Sequence, residues 1–257
     1  MAIDLSKMRA KLDALQNKDS GDNKFWRPSD GEQAIRIVPT EDGDPFREFH
    51  FHYNVGQNRG FLCPKRNYGD DCPVCEFASQ LWKEGSANDD DSAKKMAKGL
   101  FARQRFFSPV LVRGEEDQGV RAWGYGKMAY ESLLGLVLNP EYGDITDPES
   151  GTDLVLTYGK PSGASFPQTK LTPRRRSSPL CDEAVGGDER CAELLDSIPD
   201  FDTLFERKTT QDVSAMLDEY LSGDQSAETS SSETEKYAAT TTTTDPVDAA
   251  FDELMGA

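Results

Sequence analysis

Both histidines of the chain and three of its five cysteines fall within one short stretch, HFHYNVGQNRGFLCPKRNYGDDCPVC, residues 50–75. Cys72-Pro73-Val74-Cys75 is a tight C-x-x-C, and Cys63, also followed by proline, lies nine positions upstream. A short loop with a stiffening proline lets two thiolates converge on one ion. Three thiolates need a fourth ligand, and His50 and His52 alternate onto the same side of an expected strand. If VGQNRG turns at Gln57-Asn58, Asn54 opposes Phe61 and His52 opposes Cys63, which favours His52; a turn shifted by one residue favours His50. A Cys3His tetrahedron holding one Zn²⁺ at about 2.0–2.3 Å is the expected product. Four protein ligands leave no open position, so such a zinc is structural. It would pin a region too polar to fold by burial alone. The competing reading, reduced thiols with a chance C-x-x-C, leaves the upstream histidines and second cysteine unexplained. A thioredoxin-like redox pair lacks its βαβ surroundings. No His or Cys remains to complete a second site with Cys181 and Cys191, which read as free thiols. An odd cysteine number and a C-x-x-C together imply a reducing cytoplasm.

Those ligands need a frame. The 257 residues suit one sizeable domain with appendages, because hydrophobic content is low at 36% and charged content high at 29%. From Phe25 the pattern is strand and turn: QAIRIVP, FREFHFHY, RFFSPVLVR, GVRAWGYGK and TDLVLTYGK, separated by Gly, Pro and Asp clusters. Helices are expected at 75–84, 92–100, 128–138, 190–196 and 211–221. Short, irregularly spaced strands with helical insertions imply a small, partly open β-barrel. Residues 46–85 form the expected zinc subdomain within a core of 23–221. Before it, residues 1–22 form an arm in which Leu5, Met8, Leu12 and Leu15 recur at helical spacing with Lys7, Arg9 and Lys11 on other faces. A helix this short is marginal alone and needs something to dock on. Residues 222–257 read as a disordered tail rich in Ser, Thr and Glu, ending in an acidic tip with Phe251, Leu254 and Met255. No apolar run approaches a membrane span, and the start has no signal-like apolar stretch.

The net charge of −17 disfavours a general polyanion-binding surface. Its distribution, however, is uneven. Gly223–Ala257 carries eight acids and one base, whereas Lys94–Lys127 carries eight bases against three acids. Lys160–Leu180 carries five bases and no acid. Both basic islands hold aromatics. FARQRFFSP interleaves Arg103, Arg105, Phe106 and Phe107; RAWGYGK sets Trp123 and Tyr125 in phase with Arg121 and Lys127; the second island offers Lys160, Phe166, Lys170 and Arg174 to Arg176. Cations for a backbone and rings for stacking are what sequence-tolerant single-strand binding needs. Phe106 and Phe107 face opposite sides of a strand, so one of them is expected in the core. The glycines flanking Trp123 and Tyr125 leave room for a base, and that strand is the expected binding face. Arg174 to Arg176 fit a solvated loop equally well.

On these residues the chain resembles the single-stranded DNA-binding, helix-destabilising proteins of T-even-like bacteriophages. QAIRIVP, the PF preceding the histidines, CPKRNYGDDCPVCEF, RFFSPVLV before a YGK strand and DLVLTYGKPSG carry the likeness over residues 3–221. The resemblance implies an OB-fold core with a Cys3His zinc subdomain, Cys63, Cys72 and Cys75 supplying thiolates and His52 the imidazole. It also implies DNA contacts at Phe106, Phe107, Trp123, Tyr125 and Lys127. An N-terminal arm would drive self-association along DNA, and an acidic tail would recruit replication, recombination and repair proteins in the bacterial host cytoplasm. The expected role is therefore non-enzymatic. Two other readings compete: a zinc-ribbon adaptor that binds only protein, and a metal-dependent nuclease using Asp89, Asp90 and Asp91. That acidic run precedes an expected helix, so capping explains it better.

Overall fold

The computed structural model describes residues 24–164, 166–181 and 187–228. The expected arm at 1–22 and the tail beyond Glu228 lie outside them.

Eight strands form one mixed sheet: β1 (Phe25–Trp26), β2 (Gly31–Ile37), β3 (Arg47–Val55), β4 (Asn58–Leu62), β5 (Arg103–Val112), β6 (Arg121–Tyr125), β7 (Leu154–Gly159) and β8 (Gln168–Pro173). Among the described residues six α-helices accompany them: α1 (Pro64–Tyr68), α2 (Pro73–Ala87), α3 (Asp91–Leu100), α4 (Lys127–Val137), α5 (Gly187–Asp196) and α6 (Thr210–Glu228). This is the mainly β class with helical insertions read from the sequence. The order is β1-β6-β5-β2-β7-β8, with β3 and β4 branching from β5.

The sheet is organised by β5. Along one edge Phe106–Val110 pairs with β6; along the other, Arg103–Phe107 pairs with β3 and Val110–Val112 with β2. Two consecutive strands thus share one edge. At the junction the Pro109 carbonyl accepts Val38 N–H at 2.9 Å, and proline has no N–H of its own to strand there. The two faces of β5 bury different clusters. Phe106, Val110 and Val112 join Trp26, Ile35, Ile37, Trp123, Tyr125 and Leu133 of α4. Phe107 joins Phe51, Tyr53 and Phe201, with Phe205 packed beside them.

One buried feature escaped the alternation of QAIRIVP. Arg36 is fully buried, and its Nε donates to Asp153 Oδ1 at 2.9 Å. Its other nitrogens reach the carbonyls of Asp147 and Ser178. Arg113 binds the same carboxylate at 3.0–3.2 Å and donates to the carbonyls of Pro179 and Leu180. Burial alone would push the Asp153 carboxyl up, but the two guanidinium groups outweigh it and hold it below the ordinary carboxylate range. Gly151 is required beside this cluster, because a methyl there would collide with Arg36 and the carbonyls of Asp147 and Ile145.

Cys181 and Cys191 are not free thiols as expected; they are bonded to each other, with Cα atoms 5.5 Å apart. Leu180 and Leu194 bury into one apolar cluster and bring the neighbouring sulfurs together. The region around the C-x-x-C also reaches beyond 46–85. Its apolar core takes Val55, Phe61, Val74 and Ala78, then Leu100 of α3, then Val213 and Leu217 of α6. Helix α6 runs past Leu221 into the segment assigned to the tail.

Candidate metal centre and nucleic-acid interface

The β3–β4 hairpin delivers the chain to Cys63, which caps α1 with its sulfur 3.4 Å from Arg66 N. Pro64 opens that helix, a position where a missing N–H costs nothing. The helix stops at Gly69 with φ 79°, and Cys72 then caps α2, again with proline next. Cys72 at the cap and Cys75 in the first turn therefore both sit at the start of a 15-residue helix, whose positive end favours thiolates.

His52 completes the cluster. The expected turn was displaced: Tyr53 pairs with Gly60 and His52 with Phe61, so it is His50 whose carbonyl meets Cys63 N–H at 2.8 Å. Cross-strand opposition does not select the ligand. Asn67 bonds both backbone groups of His50, whose ring turns toward Glu48. His52 Nδ1–H donates to the Leu100 carbonyl at 2.8 Å, which leaves Nε2 facing Cys72 Sγ at 3.3 Å and Cys75 Sγ at 3.5 Å. Cys63 Sγ is 3.5 Å from Cys75 Sγ, and the four ligand atoms all lie within 4.8 Å of one another. A zinc tetrahedron with bonds of about 2.0–2.3 Å has edges of about 3.3–3.8 Å, so the donor set fits such an ion. Burial opposes charge on His52, yet hydrogen bonds to Cys63 and Cys72 outweigh it and raise its pKa to about 9. The Cys63 thiol is driven down by Cys72 and Cys75, while Cys75 is driven up by its neighbours. Such a cluster of sulfurs calls for a cation.

The aromatic strand differs from its expected role. Phe106, Phe107, Arg121, Trp123 and Tyr125 are all buried, at 0–5% exposure. The sheet curls so that Trp123 and Tyr125 point inward, with Trp26 against Trp123 and the Tyr125 hydroxyl 2.7 Å from Ser108 Oγ. Burial raises the Tyr125 phenol. Phe106 stacks on Tyr130 of α4 with centroids 3.8 Å apart. Arg121 is paired with Glu115 at 2.6 Å. Both Phe106 and Phe107 are core, on opposite faces, where one had been expected at a surface. At Gly126 there is no open space for a base, since a methyl there would sit 3.3 Å from the Arg105 guanidinium.

The other expected contacts are accessible in two places. Arg103 and Arg105 are half-buried and Lys127 is exposed beside Gly126, while Lys160 and Phe166 are exposed near the β7–β8 turn. Arg174 to Arg176 are exposed after β8. Sequence reasoning did not single out Lys65 and Arg66, which line a pocket with Phe101, Ala102, Ser79 and the candidate ligand Cys75. Trp82 stands 6.4 Å from Phe101, with Lys98 5.5 Å above its ring. The signal was present: CPKRN places two cations in the helix that the first ligand caps. Asp90 caps α3 through Ser92 and Ala93 N–H, and Asp89 and Asp91 both reach Lys94, as the capping reading required. No helix among the described residues is long and apolar enough to cross a membrane.

A family model described as gp32 DNA binding protein like matches residues 29–220. Among curated proteins none matches the chain.

Proposed function

The chain belongs to the gp32-like DNA-binding protein family, and from that premise we propose that it coats and protects single-stranded DNA and removes its secondary structure during phage replication. Preferential binding to single strands shifts the duplex equilibrium by mass action, so no catalytic group is needed. The observation that carries the reading is the pocket lined by Lys65, Arg66, Phe101 and Ala102, from which the chain passes directly into β5 with its half-buried Arg103 and Arg105. Cations there neutralise the backbone, and Phe101 and Trp82 supply ring faces for bases. Lys160, Phe166 and Arg174 to Arg176 extend the contact on the β7–β8 side. His52, Cys63, Cys72 and Cys75 hold one structural Zn²⁺, which sets the floor of that pocket through Cys75. Residues 1–22 mediate association between copies along DNA, and the acidic tail recruits replication, recombination and repair proteins in the host cytoplasm.

The test is a titration with oligo(dT) and with duplex DNA across a salt series. Lys65→Glu with Arg66→Glu should weaken single-strand binding by roughly 10²-fold or more and flatten its salt slope by about two phosphate contacts. Equal affinity in the double variant would remove this pocket from the DNA path, and equal affinity for duplex would defeat the single-strand reading.

A further inference from the structure

The loop between β2 and β3 separates two hollows. One, of about 540 Å³, is walled by Pro39, Pro45, Phe46, Leu134 and Val137 and rimmed by Asp44 and Asp144. The adjoining one adds Glu41, Asp196, Asp200 and Asp202, and its one base, Arg47, is already paired with Asp42 at 2.6 Å. At the end of α4 the apolar lining continues outward, with Val137 37% and Leu138 77% exposed. An apolar trough within carboxylates suits a helix carrying an apolar stripe flanked by cations.

Two terminal segments lie outside the described residues. The tail beyond Glu228 is acidic and is repelled by this rim. The other, residues 1–23, carries Leu5, Met8, Leu12 and Leu15 in one stripe, and within 4–16 Lys7, Arg9 and Lys11 outnumber Asp4 and Asp13 on the other faces. Its attachment point is close. The Lys24 carbonyl accepts Ala122 N–H, Ala122 pairs with Pro109, and Pro109 accepts Val38 N–H. Lys24 and Val38 thus stand at one level of the sheet, three strand spacings or about 14 Å apart. Residues 17–23 reach about 23 Å when extended. We propose that in the free protein residues 4–16 dock on the trough of their own chain. A tether this short gives a local concentration of about a millimolar, well above that of a second copy at micromolar protein.

Amide hydrogen exchange of the full chain without DNA tests this, so its outcome is independent of the DNA reading. Residues 4–16 should exchange roughly tenfold more slowly than in a Leu12→Asp variant, and equally so at about 1 and about 100 µM protein. Val137→Glu, at an exposed position, should abolish the protection without moving the unfolding midpoint. Glu41→Lys should reduce it through charge alone. Protection that grows with concentration would assign the trough to a second copy and overturn the proposal. Protection that survives Val137→Glu would place the segment elsewhere, and no protection beyond Leu12→Asp would leave it undocked.

Discussion

Replacing Asp153 with Asn tests whether the buried arginine pair organises the β8 side of the molecule. The carboxylate accepts from Arg36 Nε at 2.9 Å and from Arg113 Nε and Nη2 at 3.0–3.2 Å. Asparagine keeps one acceptor and turns an NH2 toward a guanidinium. Two charge-assisted bonds at about 1.5–3 kcal/mol each give a loss of about 3–6 kcal/mol. Leaving buried charge without its counter-ion is independently worth about 3–5 kcal/mol. The two routes meet near 4 kcal/mol, a large part of a total of about 5–15 kcal/mol. With a urea slope of about 2 kcal/mol/M the midpoint should fall by about 2 M. Equilibrium unfolding in urea, followed by far-UV circular dichroism, reads this directly. Arg113→Met should cost less, because Arg113 is partly exposed and Arg36 still neutralises the carboxylate. A loss below about 1 kcal/mol in Asp153→Asn would refute the reasoning, since the ions would then merely break even with their desolvation.

Other outcomes follow from the same structure. Stripping the metal, or Cys72→Ser, should release α6 along with the segment that carries the four candidate ligands, because Val213 and Leu217 share an apolar core with Cys63 and Cys72; hydrogen exchange should rise in 210–221 as well as 50–102, and an α6 that stays protected would contradict this coupling. Trp82→Phe should remove most of the fluorescence quenching by oligo(dT), whereas Trp123→Phe should leave it, because Trp123 is 1% exposed; the reverse pattern would restore the aromatic strand as the stacking face. The Asp153 carboxyl is held below its unfolded value, so its stabilisation is complete above about pH 4 and is lost as pH falls through the lowered folded value. Asp153→Asn should therefore flatten the acid limb of a stability–pH curve, and parallel limbs in the two proteins would count against it.

Local chemistry was legible where spacing enforces it. Cys63-Pro64 and Cys72-Pro73-Val74-Cys75 announce helix caps and ligands together, because proline after a capping cysteine is a local preference. Strand β2 and helix α4 likewise follow their periodicity. What failed was long-range. Which side of β6 faces inward depends on how the sheet curls, and RAWGYGK reads the same either way. Arg36 sits in an apolar strand whose partner carboxylate is more than a hundred positions away, and the pairing of Cys181 with Cys191 depends on where Leu180 and Leu194 bury. His52 was named on a hairpin register that the structure shifts; the Leu100 carbonyl and the start of α2 select it instead.

The metal-side core is discontinuous in sequence, and that fixes an order in time. All four ligands are synthesised by Cys75, but the core around them closes only when Val213 and Leu217 arrive. At about 5–20 residues per second, this leaves roughly 7–28 s during which a nascent chain presents the four candidate ligands beside an open apolar surface. The donor set can therefore be complete before its burial on the ribosome, and a chain halted before Thr210 would offer all four candidate ligands while remaining prone to aggregate.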